Sequence, residues 1–209
     1  MSSDDSPLHR FLHADDGPLR LLREILSSVA FVACVALVLF GASGLWPPLV
    51  AVESGSMQPH MVRGDLVFVT EPGRFTSDAA FRETGVVTSE MGQSSGHEAF
   101  GAAGSVVVYE AERTSSPVIH RAHFWVEEGE NWYDRANASY VAAENCRELT
   151  NCPAPNAGFV TKGDNNAEYD QANGLAPPVA PDRVRGVARG RVPALGCLRL
   201  GFGENSCFV

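Results

Sequence analysis

Two serines flank a glycine at Ser54, Gly55 and Ser56, and this stretch holds the best nucleophile candidate of the chain. Glycine lets the backbone turn sharply there, and Pro59 fixes the φ angle of the exit, so the two hydroxyls can lie side by side. Such a pair could supply a nucleophile and a neighbouring hydrogen-bond donor. Turns use the same residue types, so the motif alone does not distinguish a catalytic serine from a flexible loop.

A serine acts as a nucleophile near neutral pH only when a base takes its proton, a role that suits histidine. His120 lies within Val118–Val126, a run that alternates like a strand. His123 is three residues further on, so the two rings should face opposite sides of the strand. His97 lies in a glycine-rich segment that would position a catalyst poorly. His120 is therefore the candidate base, although a core histidine fits the same pattern.

The segment from Thr161 to Asp170 adds carboxylates after another strand candidate. Its acidic residues could open a calcium loop, form an Asx-rich turn, or supply one aspartate that orients His120. Calcium is disfavoured because Tyr169 stands where the loop needs glycine and no glutamate closes it. Between Asp164 and Asp170, the sequence does not decide which carboxylate acts on the histidine.

Five cysteines are present, and Cys34 lies inside the apolar run near the N-terminus. The other four form two close pairs, each able to close a short loop: Cys146 with Cys152, and Cys197 with Cys207. Four cysteines allow three pairings, and the sequence does not choose between them. We interpret them as candidate disulfides rather than zinc ligands, because no C-x-x-C spacing is present.

The charge of the chain limits its partners. The formal net charge is −9 over 209 residues, and Lys162 is the only lysine beside fifteen arginines. A nucleic-acid partner is excluded because no basic stripe exists to neutralise phosphates. Acidic, lysine-poor surfaces suit very salty solvent, where screening removes the self-repulsion. We therefore expect a halophilic source.

An uncharged apolar run extends from Ile25 to Trp46. At about 1.5 Å per residue, a helix of this length crosses roughly the 30 Å of a hydrocarbon core, which predicts a transmembrane helix. A signal peptide and a buried core helix are the alternatives, but the run is long for the former and no cleavage site is evident before Pro47. Arg20 and Arg23 precede the run and no arginine follows it closely, so the N-terminus should be cytoplasmic.

The elements that must position these residues follow from the hydrophobic pattern. We predict a cytoplasmic tail (1–23), a transmembrane helix (24–46) and an extracytoplasmic domain (47–209). Alternation and β-branched residues predict five strands in that domain, at 65–70, 105–109, 118–126, 158–161 and 184–192. Two irregular stretches, about 72–104 and 137–157, are interpreted as insertions. The fold class is therefore mostly β, a compact core with inserted loops.

The motifs occur in one order along the chain: Ser54–Pro59, Arg63–Phe68, Val118–Arg121, Lys162–Asn166 with Asp170 downstream, and Gly186–Arg189. In this order, and after a membrane-length run, they resemble type I signal peptidases. Bacterial members carry a lysine base where this chain has His120, so the chain looks like the archaeal and endoplasmic-reticulum branch, from a halophilic archaeon. The resemblance implies a signal-peptidase-like β core and a serine endopeptidase that removes signal peptides from exported preproteins. It also implies that no metal or organic cofactor is needed.

Carried over residue by residue, the resemblance gives Ser56 the role of nucleophile and His120 that of general base. Asp170 matches the aspartate taken as the third member, and Asp164 matches a second functionally important aspartate. The Ser54 hydroxyl corresponds to an oxyanion-hole donor beside the Ser56 backbone N–H. How the two aspartates divide the work stays open.

The chain departs from the family pattern at Ser105, where many relatives have aspartate, and in its longer segment between residues 72 and 104. The implied partners are signal peptides of secretory preproteins, the lipid bilayer and the translocation machinery.

Two alternatives to the histidine peptidase remain. One is a non-catalytic membrane-anchored surface or binding module, and the other is a Ser/Lys peptidase that uses Lys162 as its base.

Overall fold

The computed structural model describes residues 16–114 and 116–200 of the protein, which separate into two units between Ala42 and Ser43. Helix α1, Pro18–Ser43, lies in the first unit except for its last residue and is long and apolar enough to cross a membrane. The helix begins before the uncharged run because proline is well suited to a first helical turn and the leucines after it continue the apolar pattern. It ends at Ser43, since Gly44 adopts a left-handed conformation (φ 76°).

The second unit is built on β-strands, which confirms the predicted mostly β class. In chain order the strands are β1 (Leu49–Ala51), β2 (Leu66–Thr70), β3 (Glu98–Ala99), β4 (Ala102–Ala103), β5 (Val106–Tyr109), β6 (Val118–Val126), β7 (Gly158–Lys162) and β8 (Val184–Val192). Six of them form an antiparallel sheet in the order β1-β2-β8-β5-β6-β7, and β3 pairs with β4 in a short hairpin. All five predicted strands are present, whereas the three-residue β1 and the hairpin were not predicted.

The segment between residues 72 and 104 is more ordered than its composition indicates. It contains helix α2, Ser89–Ser95, whose N-cap Thr88 accepts a hydrogen bond from the Met91 backbone N–H at 3.2 Å. Gly96 ends the helix with a left-handed φ of 75°. In the described part of the chain, the remaining short elements are two 3₁₀ turns, Ala138–Tyr140 and Pro181–Arg183, and helix α3, Cys197–Leu200.

Strand register divides the sheet into two faces near β6. His120 pairs with Val107 and Ala122 with Thr161, so these side chains share one face with Tyr109. That face is packed with buried apolar side chains, which include Val107, Tyr109, Ala122 and Phe159. Arg121 pairs with Lys162 and therefore points to the opposite face.

One edge of β6 is partly open. Pairing with β7 begins at Arg121 and Lys162 and runs to Val126, with an irregularity between Ala122 and Phe124. Among the described residues, Val118, Ile119 and His120 pair with β5 alone. Their other edge therefore leaves backbone groups available beside the loop that carries Ser56.

Candidate active site

Ser56, His120 and Asp170 form one line of hydrogen bonds. The Nε2 atom of His120 lies 3.0 Å from the Ser56 hydroxyl, and its Nδ1 lies 2.7 Å from Oδ2 of Asp170. Ser56 is half-buried, whereas His120 and Asp170 are buried. A carboxylate only accepts hydrogen bonds, so Nδ1 carries the proton and Nε2 presents its lone pair to the serine. This arrangement can activate a serine hydroxyl.

The loop that holds Ser56 is anchored in the core of the domain. Met57 and Met61 follow the serine and are fully buried against strand residues such as Val67. Backbone hydrogen bonds from Gln58 N–H to Gly55 C=O (3.1 Å) and from Met61 N–H to Met57 C=O (2.9 Å) tighten the turn. Because Met57 and Met61 are buried on one side of the loop, the half-buried Ser56 lies on the other side.

The carboxylate of Asp170 is fixed by two further donors. Tyr109 and Thr161 donate to the same Oδ2 atom at 2.9 and 2.7 Å. Burial, with the nearby Asp170 charge, raises the pKa of Tyr109 well above its ordinary value, so the phenol stays protonated and donates. Because both donors are themselves buried in the sheet, Asp170 holds the His120 ring in one orientation.

The Ser54 hydroxyl lies beside the candidate nucleophile. Its oxygen is 3.2 Å from the Ser56 hydroxyl and 3.5 Å from the Ser56 backbone nitrogen. Ser54 is exposed, so its hydroxyl can turn towards a bound peptide. The position suits the predicted oxyanion-hole role, which stays a prediction.

The turn after β7 (residues 163–166) lies against the backbone of the loop that carries Ser56 (residues 54–61), called the nucleophile loop below. The Asn165 N–H donates to the Ser56 carbonyl at 2.7 Å, and the Asn165 side chain donates to the Gly55 carbonyl at 3.3 Å. A Cβ atom on Gly163 would lie 2.7 Å from the same Ser56 carbonyl, so glycine is needed for this approach. The turn therefore fixes the backbone on which the serine sits.

In the described part of the chain, the Asp164 carboxylate makes its hydrogen bonds to Arg121 and His60 and none to Ser56 or the His120 ring. Arg121 donates to both of its carboxylate oxygens at 2.8 Å, and His60 Nδ1 lies 2.8 Å from Oδ2. Burial raises the pKa of Asp164, but the Arg121 hydrogen bonds and charge, aided by His60, outweigh this and hold the pKa below its ordinary value. The Asp164 carboxylate thus links β6, the turn after β7 and the nucleophile loop.

Lys162 is buried, and its pairing with Arg121 places its side chain on the face of the sheet opposite His120. Its ammonium donates to the carbonyls of Gly163 (2.9 Å) and Asn166 (2.8 Å) and lies 4.3 Å from the centre of the Tyr140 ring. Burial lowers its pKa. The contacts of its amine are those of a structural cation that holds the turn.

The cysteine prediction is tested at one pair only. Cys146 and Cys152 form a disulfide with Cα atoms 5.1 Å apart, and Cys34 is an exposed free thiol on α1. Cys207 lies outside the described residues, so the pairing of Cys197 with Cys207 stays a prediction. Within residues 16–114 and 116–200, no group of three or more histidine, cysteine or acidic side chains could hold a metal ion.

Sequence reasoning missed four residues that support the site: Tyr109, Thr161, Arg121 and His60. A signal existed for the first two, because pairing β5 with β6 and β6 with β7 places alternate residues of all three strands on the His120 face. The contact between His60 and Asp164 joins residues 104 positions apart. No local pattern predicts such a contact.

Comparison with known proteins points to one activity. No family model matches the chain. It is similar to the signal peptidase complex catalytic subunit sec11 of Aspergillus oryzae, with 27% identity over 184 residues, which cover 86% of this chain and 77% of the relative. The subunit of the same name from Emericella nidulans is 28% identical over 192 residues, covering 85% and 82%. That from Saccharomyces cerevisiae is 26% identical over 161 residues, covering 76% and 67%.

Proposed function

We propose that this chain is a membrane-bound serine endopeptidase that removes N-terminal signal peptides from exported preproteins. The observation that carries the proposal is the line of hydrogen bonds from Ser56 through His120 to Asp170. The similarity to signal peptidase catalytic subunits supports the substrate class. The apolar helix α1 supports attachment to the membrane in which such substrates lie.

In this proposal each residue has a role in acyl transfer. Ser56 attacks the scissile carbonyl while His120 Nε2 takes its proton, and Asp170 stabilises the imidazolium that forms. The Ser56 N–H and the Ser54 hydroxyl stabilise the oxyanion of the tetrahedral intermediate. His120 then protonates the leaving amine and activates the water that hydrolyses the acyl-enzyme. These steps use side chains, backbone groups and one water molecule.

The open edge of β6 suits an extended peptide. Backbone groups of Val118 and Ile119 can pair with a substrate strand, as in β-strand addition, and so place its carbonyl at Ser56. Side chains next to this edge are apolar, since Ile119 packs against the cluster that contains Met57. Such surroundings suit the apolar, small-residue end of a signal peptide.

Several finer points belong to the same proposal. Arg20 and Arg23, which lie in α1 ahead of its uncharged run, favour a cytoplasmic N-terminus and an extracytoplasmic catalytic domain held at the lipid bilayer. The acidic, lysine-poor composition favours a halophilic archaeal source and activity at high salt. Contacts with the translocation machinery would bring the substrate to the same membrane.

The test is cleavage of a preprotein by the purified full-length chain at high salt, with Ser56→Ala as the matched variant. We expect removal of the leader by the wild type and none by Ser56→Ala, with the same thermal unfolding for both. Uncleaved preprotein with a folded wild type would favour the non-catalytic module. Equal cleavage by both proteins would remove Ser56 from the mechanism.

A further inference from the structure

A cavity of about 560 Å³ lies beside the candidate active site but does not include its catalytic residues. Its lining is rich in polar and ionisable side chains, among them His60, Gln93, Arg121, His123, Lys162 and Asp164. Ser56 and His120 are not part of the wall. The cavity is therefore a separate space that the proposed chemistry leaves unused.

The cavity wall is continuous with the loop and turn that fix Ser56. His60 belongs to the nucleophile loop and lines the cavity. Asp164 also lines it and lies between Gly163, whose backbone passes so close to the Ser56 carbonyl that a Cβ atom would not fit, and Asn165, whose N–H donates to that carbonyl. A peptide bound at Ser56 thus has the cavity as its neighbour on this side.

The sheet determines where a peptide must go after it passes His120. Along Val118–His120 the edge of β6 is open, but from Arg121 onwards β7 occupies that edge. A substrate strand must leave the plane of the sheet there. The His120 face is filled by the buried side chains of Tyr109 and Asp170, whereas the Arg121 face opens into the cavity.

The open edge of β6 and the cavity, the two ends of the path available to a bound peptide, differ in chemistry. The open edge of β6 has apolar surroundings, but the cavity offers hydrogen-bond donors, acceptors and charges. His123 adds a buried Nε2 atom without a partner among the described residues, and burial together with the Lys162 charge lowers the pKa of His123 to about 4. His120 must also reach the leaving amine, which places the new N-terminus beside its ring.

From these observations we infer that the cavity receives the first residues of the mature protein, those that follow the cleaved bond. The inference rests on the proposed function and adds a binding site for polar residues on the mature side of the substrate. The leader then occupies the open edge of β6. Sequence after the cleavage site, and not the leader alone, contributes to selection.

Gln93 offers a direct test because it is exposed on α2 and lines the cavity. Three peptides share one leader and differ after the cleaved bond: one carries glutamate at mature positions 2 to 4, one carries lysine there, and one ends at mature position 1. We expect Gln93→Lys to raise kcat/KM for the glutamate peptide relative to the lysine peptide by roughly two- to fivefold, the range of an exposed charge pair. Gln93→Glu should shift the ratio the other way.

Two controls separate the possible failures. Ser94→Lys places the same charge one residue away, on an exposed position outside the cavity wall, and should leave the ratio unchanged. The peptide that ends at mature position 1 should be cleaved equally by wild type and both Gln93 variants. An unchanged ratio, or an equal change for all three peptides, would overturn the cavity assignment while leaving the peptidase intact. Failure of the wild type to cleave any peptide would overturn both.

Discussion

Asp170 lies at the buried end of the hydrogen-bond line that reaches Ser56, and three groups donate to one of its oxygens. The geometry favours Asp170 over Asp164 as the group that orients His120, because the Asp164 carboxylate is taken up by Arg121 and His60. The two aspartates bond different groups. Asp170 bonds the His120 ring and fixes its orientation, whereas Asp164 bonds Arg121 of β6 and His60 of the nucleophile loop and so connects these two segments.

Replacing Asp170 by asparagine should leave a folded but nearly inactive protein. The amide oxygen can still accept from Tyr109 and Thr161, so we expect a loss of no more than about 1–3 kcal/mol in the free energy of unfolding. The amide can also stabilise the wrong His120 tautomer, an effect worth as much as about 10⁴ in turnover in the serine-protease template. Single-turnover cleavage and thermal unfolding would measure the two effects. Activity close to wild type would exclude Asp170 from the mechanism.

The identity of the base separates the two peptidase mechanisms. We expect His120→Ala to abolish processing, because Ser56 then has no base. Lys162→Arg and Lys162→Ala should retain much of the activity in whatever stays folded, since the amine of Lys162 donates to two carbonyls of the turn. The measurement is the cleavage rate of each variant and of the wild type, divided by the fraction of the protein that is folded. A well-folded but inactive Lys162→Arg protein would favour the Ser/Lys mechanism.

At the scale of elements, the turn after β7 connects the strand that carries the base to the loop that carries the nucleophile. Asp164→Asn should weaken this connection, with a smaller effect on chemistry than Asp170→Asn. The asparagine leaves the Arg121 guanidinium without its carboxylate, and we expect a loss of about 1–3 kcal/mol at neutral pH. Chemical denaturation of the variant and the wild type would measure it.

The pH dependence of that loss has a defined sign. The folded pKa of Asp164 is lowered from its ordinary value of 3.8, so its stabilisation is present above that value and is lost as the pH falls through the folded pKa. The difference in stability between wild type and Asp164→Asn should therefore shrink below about pH 4. A difference that grows towards acid pH would contradict the pairing with Arg121.

Elements whose apolar and polar side chains alternate strongly are well predicted from the sequence. Elements whose bounds depend on capping residues are poorly predicted. β6 and β8 have the predicted bounds, because each is a nine-residue run rich in β-branched or alternating side chains. Helix α2 is only seven residues long and contains glycine and three serines, so no apolar periodicity marks it. Its ends are set by Thr88 and Gly96. Of the site, Ser56 and His120 were predictable from motif order. The choice of Asp170 over Asp164, and the contacts of Tyr109, Thr161 and His60, depend on tertiary packing.

At the scale of the whole molecule, the orientation in the membrane can be tested without any measurement of activity. A protease added outside sealed cells should digest the chain beyond about residue 46 and spare the N-terminal tail, because Arg20 and Arg23 precede the uncharged run of α1. Antibodies against each end would identify the protected fragment. Permeabilised cells, in which both ends become accessible, provide the control. A protected C-terminal domain would place Ser56 on the wrong side for leader removal.

The burial of Lys162 has a practical consequence for labelling. It carries the only side-chain amine of the chain, and it is 3% exposed beneath the turn that it holds. Amine-acylating reagents should therefore leave the side chains of the folded protein unmodified and react at this position only when the turn opens. Mass spectrometry of acylation at Lys162 would then report local opening of the active-site turn, with no engineered probe.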